Sequence, residues 1–332
     1  MSGSGVQPVK AFQGHRLGAI EEFALEERSL GAPGAGEILL SVEATSLGFV
    51  DALVMRGLYQ ARPPLPFTPG GEIVGRIKAL GAGVTGFATG QRIASWQFGG
   101  GLAEQAIVRA ASSVAVPDAL DAPTASALIL DFLTAHYGLF DRGHYQTGQS
   151  LLVTGASGGV GSAAVQLAHA CGGRVIGLAS GKAKMRHVAA LGADIVLDYR
   201  DPDWRAQLKA RYPAGVDRVF DPVGGPLLEA CFRSLAKHGR HLVVGFASGD
   251  GIPRLPANLP LLKSGELAGV DARYLGESDP ARVRAILGVI FRLAERGRIR
   301  AVIDQIVPLA DVPAAFRALG LASRIGKIVV AP

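Results

Sequence analysis

A glycine-rich turn within residues 149–161 (QSLLVTGASGGVG) carries the strongest chemical signal in the sequence. An apolar run at 151–153 stops at this turn, and the pattern predicts a helix of small residues directly after it. Ala156, Gly158 and Gly161 match the G-x-G-x-x-G pattern, with alanine in the first place. A strand, a glycine turn and a helix N-terminus together bind pyrophosphate, because backbone N–H groups converge there and the helix dipole attracts anions. The pattern therefore predicts a dinucleotide site rather than a turn that is only structural.

The residues about 20 positions further along indicate which dinucleotide is bound. An NAD enzyme usually has Asp or Glu there, but this stretch reads GLASGKAKMR and has no carboxylate between 176 and 186. Ser180 offers a hydroxyl, and Lys182, Lys184 and Arg186 are basic, which suits the dianionic 2′-phosphate of NADP(H). The alternative for Lys182 and Arg186 is a solvated start of a helix. We therefore predict NADP(H) as the cofactor.

Composition narrows the class of protein. The 332 residues are 48% hydrophobic and 19% charged, which is typical of a globular chain with room for two domains. The net charge is +6, but the basic residues are scattered, which argues against nucleic acid as a partner. We expect neither a secretory signal nor a membrane span, since no apolar run reaches the roughly 18–20 residues that a span needs. Cys171 and Cys231 are predicted to be buried small hydrophobes, so we expect a cytoplasmic protein.

The secondary-structure pattern changes near residue 125. Residues 10–125 read as strands separated by Gly and Pro, and the segment at 122–140 reads as one helix. Strands and helices then alternate to about residue 271, which predicts a doubly wound parallel sheet. A helix over 279–296 precedes a tail that returns to the first domain. The predicted fold class is α/β, with one domain from 1–125 plus 272–332 and the other from 126–271.

Within the second domain the elements can be placed individually. The predicted strands are 151–154, 174–179, 195–199, 218–221, 241–246 and 267–271. The predicted helices are 160–171, 182–191, 203–211 and 226–236. We expect His169, His187, His238 and His241 to lie on outer elements and to take no part in catalysis.

Collinear motifs run through nearly the whole chain, from about residue 10 to 330. They are FVDALVMRGLY (49–59), PFTPGGEIVGRI (66–77), LTAHYGL (133–139), TGASGGVGSAAVQLA (154–168), DYR (198–200), FDPVGG (220–225), VGFASG (244–249), IPRLPANLPLLK (252–263) and IGKIVV (325–330). Together they resemble the zinc-independent, zeta-crystallin-like quinone oxidoreductases of the medium-chain dehydrogenase/reductase superfamily. The resemblance implies a GroES-like β domain with an inserted Rossmann domain. It also implies a homodimer formed through the Rossmann edge strand near 267–271.

The resemblance also implies roles for individual residues of this chain. The residues that would hold the pyrophosphate are Ala156, Ser157, Gly158, Gly159, Val160 and Gly161. Those that would surround the adenosine 2′-phosphate are Ser180, Lys184 and Tyr199. The nicotinamide side would be lined by Thr134, Phe246, Ala247, Ser248 and Val270. Val223 is also assigned to the cofactor, and Lys327 would close the site from the C-terminal segment.

The resemblance also implies that this chain lacks the zinc ligands of related dehydrogenases. Their cysteine falls in the 46–48 region, their histidine corresponds to Gly71 before Glu72, and the four-cysteine lobe is absent, so we expect no metal. Without a Lewis acid, hydride addition to a quinone or an activated C=C bond is favoured over alcohol–carbonyl interconversion. Tyr59 is then either the proton donor or an aromatic wall over the nicotinamide. Asp51 is either a catalytic acid or a residue that positions its loop.

Two positions depart from the family pattern. Gly48 stands where Asn is common, and Phe132 stands where a smaller or polar residue is frequent, so we expect a more apolar pocket. The predicted function is NADPH-dependent, zinc-independent reduction of a quinone or an α,β-unsaturated carbonyl. One alternative is an enoyl-thioester reductase acting on an acyl-CoA or carrier-protein substrate. The other is an NADPH-binding structural or RNA-binding protein of the crystallin type.

Overall fold

The computed structural model describes residues 8–319 and 324–332. The chain divides into two units, one formed by Met1–Leu130 with Arg273–Pro332 and the other by Asp131–Ala272. Within the described residues, no helix is both long enough and apolar enough to pass through a bilayer.

The elements are numbered in chain order. The strands are β1 (Pro8–Gly14), β2 (Phe23–Ser29), β3 (Glu37–Ser46), β4 (Glu72–Leu80), β5 (Arg92–Trp96), β6 (Gln105–Arg109), β7 (Ser113–Ala115), β8 (Ser150–Val153), β9 (Arg174–Ala179), β10 (Ile195–Asp198), β11 (Val216–Asp221), β12 (Leu235–Val243), β13 (Glu266–Gly269), β14 (Ile303–Pro308) and β15 (Lys327–Ala331). The helices are α1 (Phe49–Met55), α2 (Ala122–Ala127), α3 (Leu130–His136), α4 (Gly159–Ala170), α5 (Lys182–Ala190), α6 (Trp204–Arg211), α7 (Leu227–Arg233), α8 (Asn258–Lys263), α9 (Ala272–Ser278), α10 (Pro280–Glu295) and α11 (Val312–Leu319).

The second unit is a parallel sheet with strand order β10-β9-β8-β11-β12-β13 among the described residues. This order is the 3-2-1-4-5-6 arrangement of dinucleotide-binding folds, in which the ligand lies where the order reverses. That point is between β8 and β11. All four residues of β8 are buried, as expected of a strand covered on both faces. The predicted doubly wound sheet is confirmed.

The first unit is built on a mixed sheet with order β14-β15-β3-β4-β5-β7, in which β6 also pairs with β3. In β3 the alternate residues Ile38, Leu40, Val42 and Ala44 are buried, because successive side chains point to opposite faces of a sheet. Strand β15 pairs antiparallel with β3. The C-terminal segment therefore completes a sheet that the N-terminal segment begins.

Several predicted elements differ from the structure, and the cause is clear for two helices. The single helix expected over 122–140 is divided into α2 and α3, because the Leu130 N–H donates to Glu72 Oε2 at 2.9 Å and starts a new helix. The helix expected to reach residue 236 ends at Arg233, because Leu235 already belongs to β12, where it pairs with Val216. Cross-strand pairing is non-local, so the helical periodicity of this segment did not reveal it.

The two cysteines lie in different surroundings. Cys231 is fully buried in the core beneath β11 and β12, and burial raises the pKa of its thiol well above the usual value. The expectation of a buried small hydrophobe is confirmed for Cys231. It is wrong for Cys171, which is half-buried at the C-terminal end of α4, where its carbonyl accepts the Thr147 hydroxyl at 2.9 Å.

Candidate active site

The glycine turn lies between β8 and α4 at the point where the strand order reverses. Gly155 has φ +55°, in the left-handed region that favours glycine, and its carbonyl accepts the Gly158 N–H at 2.9 Å. A Cβ on Gly161 would overlap that same carbonyl, so the helix packs directly on the turn. The first N–H groups of α4 have no acceptor within the helix, and they face the side where an anion is stabilised by the helix dipole. The turn can therefore hold a pyrophosphate.

The remaining turn residues divide into a buried part and an exposed part. Ala156 is fully buried, and its N–H donates to the carbonyl of Leu178 in β9 at 3.2 Å. Gly158 and Gly159 are exposed, and Ser157 and Val160 are half-buried. A Cβ on Gly159 would overlap the carboxylate of Asp131. Sequence reasoning missed this carboxylate beside the helix N-terminus, because Asp131 precedes Gly159 by 28 positions and belongs to another helix.

Asp221, the last residue of β11, binds the turn and the next loop together. Its Oδ1 accepts the Thr154 hydroxyl at 2.6 Å and the N–H groups of Val223 at 3.1 Å and Gly224 at 2.9 Å. Its Oδ2 lies 3.1 Å from Nε2 of His241. Burial raises the pKa of the Asp221 carboxyl, but the contacts with His241 and Thr154 outweigh burial and lower it below the usual value. Asp221 therefore stays ionised and holds both loops at the reversal point.

The prediction that His241 lies on an outer element is wrong. It is fully buried in β12, between β11 and β13, and its ring stacks on Phe232 at 6.0 Å between centroids. Its Nδ1 is buried without a hydrogen-bond partner within the described residues. The contact between Nε2 and Asp221 holds the ring in place between β11 and β13.

The predicted nicotinamide-side residues of the second unit meet at the carboxyl ends of β11, β12 and β13. The Ala247 N–H donates to the carbonyl of Pro222 at 3.2 Å, and the Ser248 N–H donates to that of Val223 at 3.0 Å. Phe246 is exposed, whereas Val270 is buried and donates its N–H to Val243 at 2.9 Å. The helical turn after α3 packs closely on this region at Gly138. A Cβ added at Gly138 would meet the side chains of Val270 and Phe220. Buried Thr134 lies one helical turn before Gly138.

The three residues predicted around a 2′-phosphate also lie at one edge of this sheet. Ser180 follows β9 directly, and Tyr199 follows β10, its immediate neighbour. Lys184 is half-buried in the first turn of α5, and Tyr199 is exposed. The structure therefore brings these three positions to the carboxyl ends of adjacent strands.

In the first unit, Asp51 is bound by backbone donors on both carboxylate oxygens. Oδ2 accepts the Gly48 N–H at 2.8 Å at the start of α1, and Oδ1 accepts the Gly70 N–H at 3.0 Å. Burial raises the pKa of Asp51, and these two N–H groups and the charge of Lys327 offset burial only in part. The geometry favours Asp51 as the residue that joins two loops. A Cβ on Gly48 would lie 3.2 Å from Asp51 Oδ2 and 3.6 Å from Glu72 Oε1, so a larger residue there would face two carboxylates.

Tyr59 belongs to an aromatic group at the edge of the first unit's core. Its ring stacks on Phe98 with 5.7 Å between centroids, and Phe98 in turn lies 6.2 Å from Phe67. Tyr59 and Phe98 are partly buried against the hydrophobic cluster that contains Phe67. Packing fixes the ring, so the phenol oxygen has a defined position.

Glu72, which follows the position that the resemblance matches to a zinc-binding histidine, forms an ion pair. Lys327 Nζ lies 2.5 Å from Glu72 Oε1, and both side chains are buried. Ser46, in the cysteine region, shares a hydrogen bond of 3.0 Å with Ser126, and a Cβ on Gly71 would overlap the carbonyl of Gln97. Across residues 8–319 and 324–332, no three His, Cys, Asp or Glu side chains are grouped to hold a metal. These residues do not fit a zinc site.

Two domain families match the chain. Residues 34–118 match the alcohol dehydrogenase GroES-like domain, and residues 159–287 match the zinc-binding dehydrogenase domain. A quinone oxidoreductase-like protein 2 homolog from Nematostella vectensis is 32% identical over 90% of this chain and 82% of its own length. The chain belongs to the zinc-independent quinone oxidoreductase family. The name of the second domain describes the wider superfamily, whose zinc ligands this chain lacks at the positions above.

Two further relatives are a solved protein that holds NADPH and part of a polyketide synthase. A mycobacterial protein solved as a complex with NADPH has a TM-score of 0.89, 28% identity, and coverage of 98% of this chain and 100% of that one. A mycocerosic acid synthase-like polyketide synthase from Mycobacterium tuberculosis is 31% identical over 93% of this chain, which corresponds to 15% of the synthase. A region similar to this chain thus occurs both as a separate protein and as a part of a longer synthase.

Proposed function

We propose that this chain is an NADPH-dependent reductase that transfers hydride to a quinone or an α,β-unsaturated carbonyl. The observation that carries the proposal is the turn between β8 and α4, where Gly161 packs on the Gly155 carbonyl and the first N–H groups of the helix have no acceptor within the helix. The mycobacterial relative solved with NADPH supports the choice of cofactor. When bound, NADPH supplies the hydride, whereas the protein supplies binding, orientation and the proton.

The residues of the second unit fit the parts of NADPH in sequence. The turn at 155–161 would hold the pyrophosphate, and Ser180, Lys184 and Tyr199 would hold the adenosine 2′-phosphate. Asp221 keeps the pyrophosphate turn in position, because its carboxylate binds both Thr154, just before the turn, and the loop that begins at Pro222. The residues proposed to line the nicotinamide side are Thr134, Val223, Phe246, Ala247, Ser248 and Val270.

The first unit would supply the proton. Tyr59 carries a phenol on a ring that Phe98 holds by stacking, and its Oη is the proposed donor to the reduced acceptor. Asp51 would position the loops at Gly48 and Gly70, since both of its oxygens are engaged by backbone N–H groups. Lys327 was assigned to the cofactor by the resemblance, but its ammonium lies against Glu72. We assign it the role of balancing that buried carboxylate.

The cofactor proposal is tested by removing the cation that would face the 2′-phosphate. A hydrogen bond from a charged group is worth about 1.5–3 kcal/mol, so Lys184→Ala should weaken NADPH binding about tenfold or more. NADH lacks the phosphate, and its affinity should change less than about twofold, within the ordinary effect of a surface substitution. Lys209→Ala, which removes an exposed lysine of α6 outside the proposed phosphate site, is the matched control. Equal losses for both cofactors in Lys184→Ala would refute the 2′-phosphate assignment.

The substrate class is tested with an acceptor panel. NADPH oxidation should be faster with 1,4-quinones and simple enones than with crotonyl-CoA. The polyketide synthase relative favours a second candidate, an enoyl-thioester reductase. Fast turnover of crotonyl-CoA without turnover of quinones would replace the first proposal with the second.

We also propose a homodimer formed through β13. This strand ends the sheet of the second unit, with β12 as its neighbour, and Leu267 on it is exposed. An exposed edge strand is a template for pairing with a second copy. Sedimentation of the full chain at micromolar concentration should give twice the monomer mass of 34.4 kDa, and a monomer would exclude the dimer. The cytoplasmic location stays a prediction from cysteine usage.

A further inference from the structure

Asp198 brings a negative charge to the edge of the sheet where the 2′-phosphate is proposed to bind. It is the last residue of β10, and its register partner is Ala179, the last residue of β9. Ser180 follows Ala179 directly, so Asp198 and Ser180 lie at the carboxyl ends of two paired strands. The sequence search for a carboxylate covered β9 and the start of α5, and therefore missed a residue supplied by the next strand.

The carboxylate is held in place by the turns that follow both strands. Its Oδ1 accepts the Arg200 N–H at 2.9 Å, which closes a turn after β10. Hydrogen bonding by that N–H is the largest cause that lowers the pKa of Asp198, and the Ser180 hydroxyl and Gly181 N–H lower it further. Asp198 is therefore ionised at neutral pH and has a defined position beside Ser180.

This arrangement has opposite consequences for the two nicotinamide cofactors. A hydroxyl has one proton, so Ser180 cannot donate to Asp198 and to a 2′-phosphate at once. The phosphate would also meet the like charge of Asp198, while Lys184 attracts it. The 2′-OH of NADH is itself a donor, and a carboxylate at this edge is the group that NAD enzymes use to accept it.

We propose that Asp198 is a specificity-determining residue that reduces the preference of this chain for NADPH over NADH. The inference rests on the proposed function, since it needs the 2′-phosphate to bind beside Ser180. Asp198 opposes the basic residues of α5, and the net preference between NADPH and NADH is then the difference between the two effects.

The test is Asp198→Asn, which keeps an oxygen that accepts the Arg200 N–H but removes the charge. For one charge and a dianion about 7 Å apart in 0.1 M salt, screened Coulomb attraction or repulsion corresponds to about threefold in affinity. The ratio of NADPH to NADH affinity should therefore rise about threefold, and the rise should shrink at 0.5 M salt. Affinities are measured by calorimetry with NADPH, NADH, 2′,5′-ADP and 5′-AMP, so the readout does not depend on turnover.

Two further variants keep the outcome interpretable. Asp198→Ser retains a short side chain that can accept the Arg200 N–H, so it should shift the ratio in the same direction even if the amide of Asn disturbs the turn. An unchanged or lower ratio in both variants would overturn the inference. If Lys184→Ala lowers NADPH affinity selectively while the Asp198 variants have no effect, this inference fails and the proposed cofactor stands. If Lys184→Ala is not selective, the 2′-phosphate assignment itself fails.

Discussion

Replacing Lys327 with methionine tests whether its ammonium balances Glu72 or serves the cofactor. The substitution keeps most of the side-chain volume but leaves the Glu72 carboxylate, only 1% exposed, without the ammonium at 2.5 Å. Breaking a buried pair by removing one partner destabilises by about 3–5 kcal/mol, because the remaining buried charge loses its counter-ion. In a unit of this size each kcal/mol shifts Tm by about 2–4 °C, so we expect a loss of about 6–20 °C.

The double variant Glu72→Gln with Lys327→Met separates the two interpretations. Glutamine keeps an oxygen for the Leu130 N–H, and neither residue is then charged. Replacing both members of a buried pair is often close to neutral, so Tm should recover to within about 4 °C of the unmodified protein. The assay is thermal unfolding followed by circular dichroism, with NADPH affinity measured at 20 °C as the second readout.

Two results would refute this reasoning. The first is a Tm for Lys327→Met within about 2 °C of the unmodified protein, which is less than 1 kcal/mol of destabilisation. The second is a double variant that is as unstable as the single one. A stable Lys327→Met protein with strongly weakened NADPH binding would instead support the role implied by the resemblance.

Two more outcomes are expected. Tyr59→Phe keeps the ring on Phe98 but removes the hydroxyl. The rate of enone reduction should therefore fall about 100-fold or more, while the NADPH Kd stays within twofold. An unchanged rate would show that Tyr59 packs beside the site without donating a proton. Asp221 has a pKa below its usual value in the folded chain, so it adds stability above about pH 4 that is lost as pH falls through its folded pKa. Asp221→Asn should lower the free energy of unfolding at pH 7 by about 1–3 kcal/mol. The Tm of the variant should also fall less than that of the unmodified protein between pH 7 and pH 3. Equal falls in Tm for the two proteins would contradict this.

Local patterns predicted the dinucleotide turn well, and long-range contacts explain what they missed. The turn at 155–161 is predictable because its strand, glycines and helix start are contiguous in the sequence. Glu72 and Lys327 are 255 positions apart, so no local pattern could pair them. His241 seemed peripheral because its partner Asp221 lies on the neighbouring strand. The break between α2 and α3 has the same origin, since the group that starts α3 belongs to β4.

The position of Lys327 in the chain has a consequence for how the protein is made. Strand β15 pairs with β3, and the ribosome synthesises every residue of the second unit between these two strands. The second unit is a contiguous segment and can fold while the chain is still growing, whereas the sheet of the first unit must wait for β15. Until then Glu72 lacks its counter-ion. The unit proposed to bind the nucleotide can therefore fold before the unit proposed to supply the proton is complete.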